Sequence, residues 1–207
     1  MDGNNNRTLL PGDFIYKDVN GDGIINGMDE RPIGYPEGWA PIMSFGGNIG
    51  LAWKGIDLNI DLSGGAMQGW RQNYELANAY HGNGNSPVYL LEDRWHRADL
   101  YDPESEWIPG RYPAIRKGEF SYNNKNSDFW LHNVRYLRIK NLEVGYSLPA
   151  QLLRPIRAQK VRIYANVSNL CSFDNVGKFG VDPEITAAAA VVYPQQRTFL
   201  LGFNITY

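Results

Sequence analysis

The sequence predicts an all-β chain of antiparallel, up-and-down strands, and three observations carry that prediction. Several segments alternate apolar and polar residues with a period of two, the pattern of a strand with two unlike faces. One pair of segments switches phase across a two-residue turn, as a tight hairpin requires. The connections alternate strictly between short and long, which a meander with two unlike ends produces.

Composition narrows the class. The 207 residues carry 20 Lys+Arg against 22 Asp+Glu, a balance without the basic excess of a nucleic-acid partner or a polybasic membrane arm. No apolar run is long enough for a transmembrane helix. Barrel strands escape that test, because they are short and apolar on one side only. Cys171 is the single cysteine, so no internal disulfide can form. The start, MDGNNNRTLLPGD, lacks the basic and apolar regions of a signal peptide. The expectation is therefore a soluble protein or a piece of a longer exported one.

Residues 1–43 read as loop, punctuated by Pro11, Gly12, Pro32, Gly34, Pro36, Gly38 and Pro41. Within them, Asp18, Asn20 and Asp22 supply oxygens at positions 1, 3 and 5 of a twelve-residue calcium loop. Gly23 takes the sharp turn, Ile24 offers its carbonyl, Asn26 stands at the water-bridged position and Asp29 closes the loop in place of the usual Glu, with Glu30 as a substitute. The flanking prolines and glycines exclude the helix pair of an EF-hand. Calcium is favoured here over a solvated Asx/Gly turn.

Residues 44–64 form the predicted hairpin. Phe45, Ile49, Leu51 and Trp53 precede the turn Lys54-Gly55; Ile56, Leu58, Ile60 and Leu62 follow it. The phase switch pairs 53 with 56, 51 with 58 and 49 with 60, so one face is wholly apolar. Asn48, Asp57, Asn59 and Asp61 line the other face, which should meet water. Residues 65–134 show no sustained period, and the stretch reads as a functional loop with short helices in Val88–Arg97. Residues 135–170 form a second strand pair, joined by the connector 149–159. The apolar phase slips near Asn141, which predicts a bulge or a change of environment along a long strand. Residues 171–196, including Ala187–Ala190, read as loop. Residues 197–207 are the last strand, with Phe199, Leu201, Phe203, Ile205 and Tyr207 on one face and Thr198, Gly202, Asn204 and Thr206 on the other.

Two topologies accommodate these strands. A soluble β-sandwich has no need of alternating loop lengths; an up-and-down membrane barrel has short turns at one rim and long loops at the other. On the barrel reading, 1–43, 65–134 and 171–196 lie outside the cell, and the last strand runs down to the periplasm with its odd face in lipid.

The ordered set of motifs makes the comparison specific. DFIYKDVNGDGIINGMDERPIG, FGGNIGLAWKGIDLNIDLSG, YLRIKNLEVGYSLP, VRIYANVSNL, VDPE and YPQQRTFLLGFNITY together resemble the C-terminal part of the SusC/RagA family of TonB-dependent outer-membrane transporters. The resemblance implies a barrel of about 22 strands in the outer membrane of a Gram-negative cell, closed by an N-terminal plug. It also implies a SusD-like surface lipoprotein as partner, the TonB complex as energy source, and a glycan or peptide as substrate. The terminal aromatic Tyr207 then serves as an assembly signal. Plug, TonB-contacting segment and most strands lie outside these residues, so the expectation is a C-terminal fragment or truncated reading frame.

No catalytic arrangement stands out, and the chain is expected not to be an enzyme. His81, His96 and His132 are scattered, without zinc-ligand spacing. Asp99, Asp102, Glu104 and Glu106 imitate a glycosidase pair only in sequence; a solvated acidic loop explains them better. Trp70, Trp95, Trp107 and Trp130 are the candidates for stacking on a sugar ring, set against their packing the loop's own small core. The alternative function is a soluble, calcium-stabilised β-sheet module that binds carbohydrate.

Overall fold

The computed structural model describes residues 9–38, 40–116, 122–184 and 195–207. Parts of three predicted loops, including the alanine run 187–190, lie outside the described residues. The chain divides into two compact units. One draws on residues up to 35 and on 70–132; the other draws mainly on 36–69, 133–186 and 192–207.

The second unit is a five-stranded meander. Strands β1 (Met43–Trp53), β2 (Ile56–Arg71), β5 (Leu131–Ser147), β6 (Lys160–Asp174) and β7 (Thr198–Thr206) lie side by side in that order. The hairpin has the register that the phase switch requires, pairing Trp53 with Ile56, Leu51 with Leu58 and Ile49 with Ile60. Lys54 and Gly55 both take positive φ, +50° and +86°, as a type I′ turn demands. Strand β2 continues to Arg71, well beyond the hairpin boundary at 64. Its extension Gly64-Gly65-Ala-Met-Gln-Gly has too few large apolar residues to show a period. Strand β6 likewise runs on through Asp174, into the segment expected to be loop.

Between β2 and β5 the pairing is antiparallel. The Ser147 amide donates to the Gly55 carbonyl at 2.7 Å, while at the far end a Cβ on Gly64 would meet the Tyr136 carbonyl at 2.8 Å. Between β5 and β6 the register slips where the sequence does. Ile139 pairs with Cys171 but Asn141 pairs with Ser168. β5 advances two residues while β6 advances three, so the extra residue belongs to the facing strand. There Asn169 takes φ +54°, the left-handed geometry asparagine tolerates best among non-glycine residues. The connector 149–159 forms α2 (Ala150–Leu153) and a single 3-10 turn, Arg154–Ile156.

The sheet is two-faced across its whole width. Phe203, Ile163 and Tyr146 stand in one cross-strand row; Leu201, Ala165 and Val144 stand in the next, and Phe199, Val167 and Leu142 in a third. On the other face, Gly202, Tyr164 and Gly145 run between the first two rows, and Asn204, Arg162 and Ser147 run just beyond the first. The apolar face is bare: Leu201 is 82% exposed and Phe203 70%. Among the described residues, the buried large apolar side chains of this unit, Val134, Leu153, Val161, Val176, Phe179 and Val181, gather near the strand ends and in the connections.

The first unit is mostly irregular. It holds α1 (Val88–Glu92) and a minimal ribbon of β3 (His96–Arg97) with β4 (Trp107–Ile108). Its core is Leu90, Tyr112 and Trp130, with Phe14, Tyr89, Ala77 and Phe129 packed around them. Aromatic rings meet at 4.7 Å between Phe14 and Phe129 and between Phe129 and Trp130, within the range of favourable ring pairs. This unit gives the long aperiodic stretch its order: aromatic packing in place of strand pairing.

Candidate functional site

The polar face of the sheet is more than a wetted surface. Arg162 on β6 reaches across β5 to Asp57 on β2. Its Nε donates to Oδ1 at 3.0 Å and Nη2 donates to Oδ2. On the way, Nη2 also donates to Glu143 on β5 at 2.6 Å. The path exists because residue 145 has no side chain. A Cβ there would lie 2.5 Å from Nε and 2.6 Å from Cζ, well inside contact. On the opposite side of β6, Tyr164 lies over Gly202 in the same way, with Cζ and Oη each 2.6 Å from where a Cβ would be. Asp57, predicted to face water, is thus one end of a three-strand clasp. Sequence gave no sign of its partner, because 105 residues separate the two.

A second clasp fixes the VDPE segment. Arg138 is buried at 5% exposure. It donates to Asp182 at 2.6 Å, and to Glu184 and Gln195 at 3.0 Å each. Lys140 reaches the same Glu184 oxygen at 2.6 Å, and Ser63 donates to the other Glu184 oxygen at 3.3 Å. Buried charge of this kind persists only when it is paired and hydrogen-bonded. The strand positions 138 and 140 and the acids of VDPE are therefore one feature, which alternation alone does not connect.

The calcium-loop residues form a tightly bonded turn in the first unit. Asp18 accepts the Gly21 and Gly23 amides at 2.6 and 2.7 Å. Asn20 accepts the Asp22 amide, and Asp22 accepts that of Ile24, both at 2.8 Å. Gly23 has φ +82°, the turn its position requires. Asp29 folds back on the loop's start, taking the Val19 amide at 2.8 Å and the Asn26 amide at 2.8 Å. These backbone amides, Asn26 first, hold its carboxyl below the usual carboxylate range. Asn26 caps the short turn Gly27–Asp29. Asp29 Oδ1 takes the Asn20 amide as well, at 3.3 Å, while each Asp18 oxygen and Asp29 Oδ2 accepts one of these bonds and keeps a second lone pair. Among the described residues no three His, Cys, Asp or Glu side chains form a metal-ligand cluster. A cation here would depend on Asn20, Asn26 and the Ile24 carbonyl as well as on the aspartates. Glu30, the substitute closer, is exposed.

The four tryptophans separate. Trp130 is 2% exposed, and its Nε1 donates to the Asn123 carbonyl at 2.7 Å. Trp70 is 4% exposed and stacks on His132 at 5.4 Å. Both spend their rings on the interior. Trp95 packs against Gly12, and Trp107 lies under the Arg97 guanidinium at 4.5 Å; these two are half-buried. Asp99 and Asp102 cap the tip of the ribbon, accepting the Tyr101 and Glu104 amides at 2.9 Å each, and do not face each other as a catalytic pair.

The first unit also contains a cleft that the sequence did not signal. It measures about 480 Å³ and is lined by the 77–83 turn, Leu90, residues 112–116, Asn123, Asn124 and Trp130. Its signal was faint: Asn, Tyr and His residues without a period.

No protein-family model matches the chain. TonB-dependent receptor P3 of Formosa agariphila is 27% identical over 95% of the chain and 19% of the receptor. TonB-dependent receptor SusC of Bacteroides thetaiotaomicron is 33% identical over 45% of the chain and 9% of the receptor. The chain spans about a fifth of the length of the Formosa relatives. Among solved structures, the RagAB peptide importer in its open-open state aligns with 79% of the chain and 17% of its own, at TM-score 0.51 and 20% identity. At that identity the likeness concerns the fold, a barrel transporter's antiparallel strands. The meander, the ordered motifs and these relatives agree: the chain is similar to part of the TonB-dependent receptors, SusC among them, and shares the antiparallel fold of the RagAB importer.

Proposed function

We propose that this segment supplies wall strands and outer loops to a barrel that imports an oligosaccharide or peptide. A SusD-like lipoprotein would be its partner at the surface, and the TonB complex would drive it through parts of the receptor these residues do not include. The observation that carries the reading is the bare apolar face. Along β1 it runs from Phe45 to Trp53, and along the last strand from Phe199 to Tyr207, at 48, 67, 71 and 76% exposure. Eight residues of strand rise ~27 Å. With the usual tilt, the aromatics at each end fall near the two rims of a ~25 Å apolar band. Water is a poor solvent for such a face, and lipid a good one. The opposite face, with its Asp57–Arg162–Glu143 clasp, suits an aqueous lumen. Loops 65–134 and 171–196 leave the sheet at the end away from Lys54-Gly55 and the 149–159 connector, which supports their extracellular placement.

Calcium held by Asp18, Asn20, Asp22, Ile24, Asn26 and Asp29 belongs to the same reading. The oxygen spacing, the φ of Gly23 and the inward fold of Asp29 support it. Its role would be to rigidify an outer loop. The half-buried Trp95 and Trp107 remain the tryptophans with ring surface to offer a ligand.

The experiment is extraction of the intact receptor from membranes. It should require detergent and migrate faster on gels when unheated than when boiled, as a closed barrel does. Monodisperse protein in plain buffer would favour the soluble carbohydrate-binding module.

A further inference from the structure

The turns at one end of the sheet form a cationic rim. The Ser147 amide donates to the Gly55 carbonyl and the Gln159 amide to the Thr206 carbonyl, each at 2.7 Å, so the Lys54-Gly55 turn and the 149–159 connector share that end. Residues 149–160 carry Arg154, Arg157 and Lys160 and no acid. Lys160 alternates onto the polar face with Arg162, which already engages Asp57 and Glu143. Lys54, Arg154 and Arg157 remain. All three are exposed, and their side chains form no ion pair or hydrogen bond with a described residue. The residues of this unit outside the described ones, 39, 185–186 and 192–194, are uncharged, so they bring no acid to offset the three.

Backbone geometry singles out two of these cations. Lys54 and Arg157 have φ of +50° and +54°. Lys54 opens the type I′ turn, where Asn, Asp or Gly is favoured. Arg157 ends the 3-10 turn Arg154–Ile156 in the left-handed conformation that suits Gly. A long side chain at either place costs stability, and the fold gains no ion pair from it. Lys54 Nζ lies 4.7 Å over the Trp53 ring, and Trp53 stands on the bare apolar face. That ammonium therefore sits at the rim of the apolar face. Just inside the rim, the same face carries a groove of about 380 Å³ between β6 and β7, lined by Val161, Ile163, Leu201, Gly202 and Phe203. It begins next to the pair Lys160–Thr206. None of its side chains has a polar atom. A peptide would bring amides that such a groove cannot satisfy; an acyl chain brings none.

We infer that this rim holds an anionic phospholipid of the periplasmic leaflet, with an acyl chain in the β6–β7 groove and the phosphate drawn to Arg154, Arg157 and Lys54. Guanidinium groups bind phosphate through paired hydrogen bonds, and cations beside a membrane surface attract acidic lipid. With no free acid at the rim, an ethanolamine ammonium finds no counter-ion, so phosphatidylglycerol fits better than phosphatidylethanolamine. The inference rests on the proposed lipid contact of the apolar face, and its groove and cations all belong to the second unit.

The test is native mass spectrometry of the intact receptor in micelles, titrated separately with phosphatidylglycerol, phosphatidylethanolamine and lipid A. Phosphatidylglycerol should bind tightest. Lys54→Asn, Arg154→Gln and Arg157→Gly should each weaken it about fivefold, and the triple variant should lower it to the level of phosphatidylethanolamine. Asn and Gly suit the left-handed backbone at 54 and 157, so those two variants should fold at least as well as the parent. Ile163→Trp, which fills the groove, should weaken both phospholipids alike. Lys178→Gln, beyond the opposite end of β6, should change neither. Equal affinity for the two phospholipids, parental affinity in the triple variant, or binding of lipid A alone overturns the inference. Heat-dependent gel mobility of the same preparation reports on the barrel separately. A heat-modifiable receptor without preference for phosphatidylglycerol overturns only the rim site.

Discussion

The clasp across Gly145 yields a quantitative prediction. Replacing Gly145 by Ala puts a methyl 2.5 Å from Arg162 Nε, so the guanidinium must leave its track over β5. Its bonds to Asp57 and Glu143 then break together. Charge-assisted hydrogen bonds are worth ~1.5–3 kcal/mol each when shielded. Here the side chains of Arg162, Asp57 and Glu143 are 17, 26 and 24% exposed and face a polar surface, so screening reduces the total. The expected loss for Gly145→Ala is about 1–3 kcal/mol, and Arg162→Ala should lose a similar amount. The double variant is decisive. Once the guanidinium is absent, Ala at 145 meets open space and should be neutral, or stabilising by ~0.5–1 kcal/mol through reduced chain entropy. Guanidinium-chloride unfolding of the intact receptor in micelles, read by tryptophan fluorescence, gives the four stabilities of the cycle. Coupling near 1–3 kcal/mol is expected. Additive losses would show that the glycine serves something other than the passage of Arg162.

Four further outcomes are expected. Leu201→Arg, on the bare face at 82% exposure, should cost about 2–4 kcal/mol if that face meets lipid at mid-depth; its neighbour Leu200→Arg, on the opposite face, should cost far less, and equal costs in the same unfolding assay would remove the lipid assignment. Asp18→Ala and Asp22→Ala should each abolish calcium binding by titration calorimetry, and a parent that takes up no calcium ends that proposal. Trp130→Ala should destabilise the first unit by about 3–5 kcal/mol, as loss of a buried aromatic does, with faster hydrogen exchange across 70–132; Trp107→Ala, losing mainly its contact with Arg97, should cost about 1 kcal/mol. Tyr16, whose hydroxyl donates to the Tyr122 carbonyl at 2.6 Å, is pushed by burial from the ordinary 10 to about 12. The folded state therefore holds this proton more tightly, so its contribution is complete below pH 10 and is lost as pH rises toward 12. Tyrosinate absorbance should show a late-titrating group that Tyr16→Phe removes.

The sequence by itself determined the sheet. Alternation at Phe45–Trp53 and Ile56–Leu62 set two strands and their register, because a two-residue turn leaves only one pairing that keeps the apolar residues on one face. The slip at Asn141 announced the irregularity in β5 and β6. The ordered motifs pointed to TonB-dependent receptors from weak single signals, and the similar proteins are such receptors. Strand ends were less legible. The small residues of 64–69 and the polar run ending at Asp174 carry no hydrophobic pattern, so only pairing with neighbours shows that β2 and β6 continue. In the long stretch 65–134, the tryptophans were visible as residues but not by role. Burial of Trp70 and Trp130 depends on partners such as His132 and Phe14, which no local period reveals.

Tertiary structure alone decided which charges meet. Asp57 and Arg162 lie on strands two apart in the sheet, and their contact needs the gap at Gly145 on the strand between. Arg138 and the acids of VDPE lie 44 and 46 residues apart in the chain. Long-range pairing of this kind follows from how strands are ordered across the sheet, whereas alternation records only which way each side chain points from its own strand.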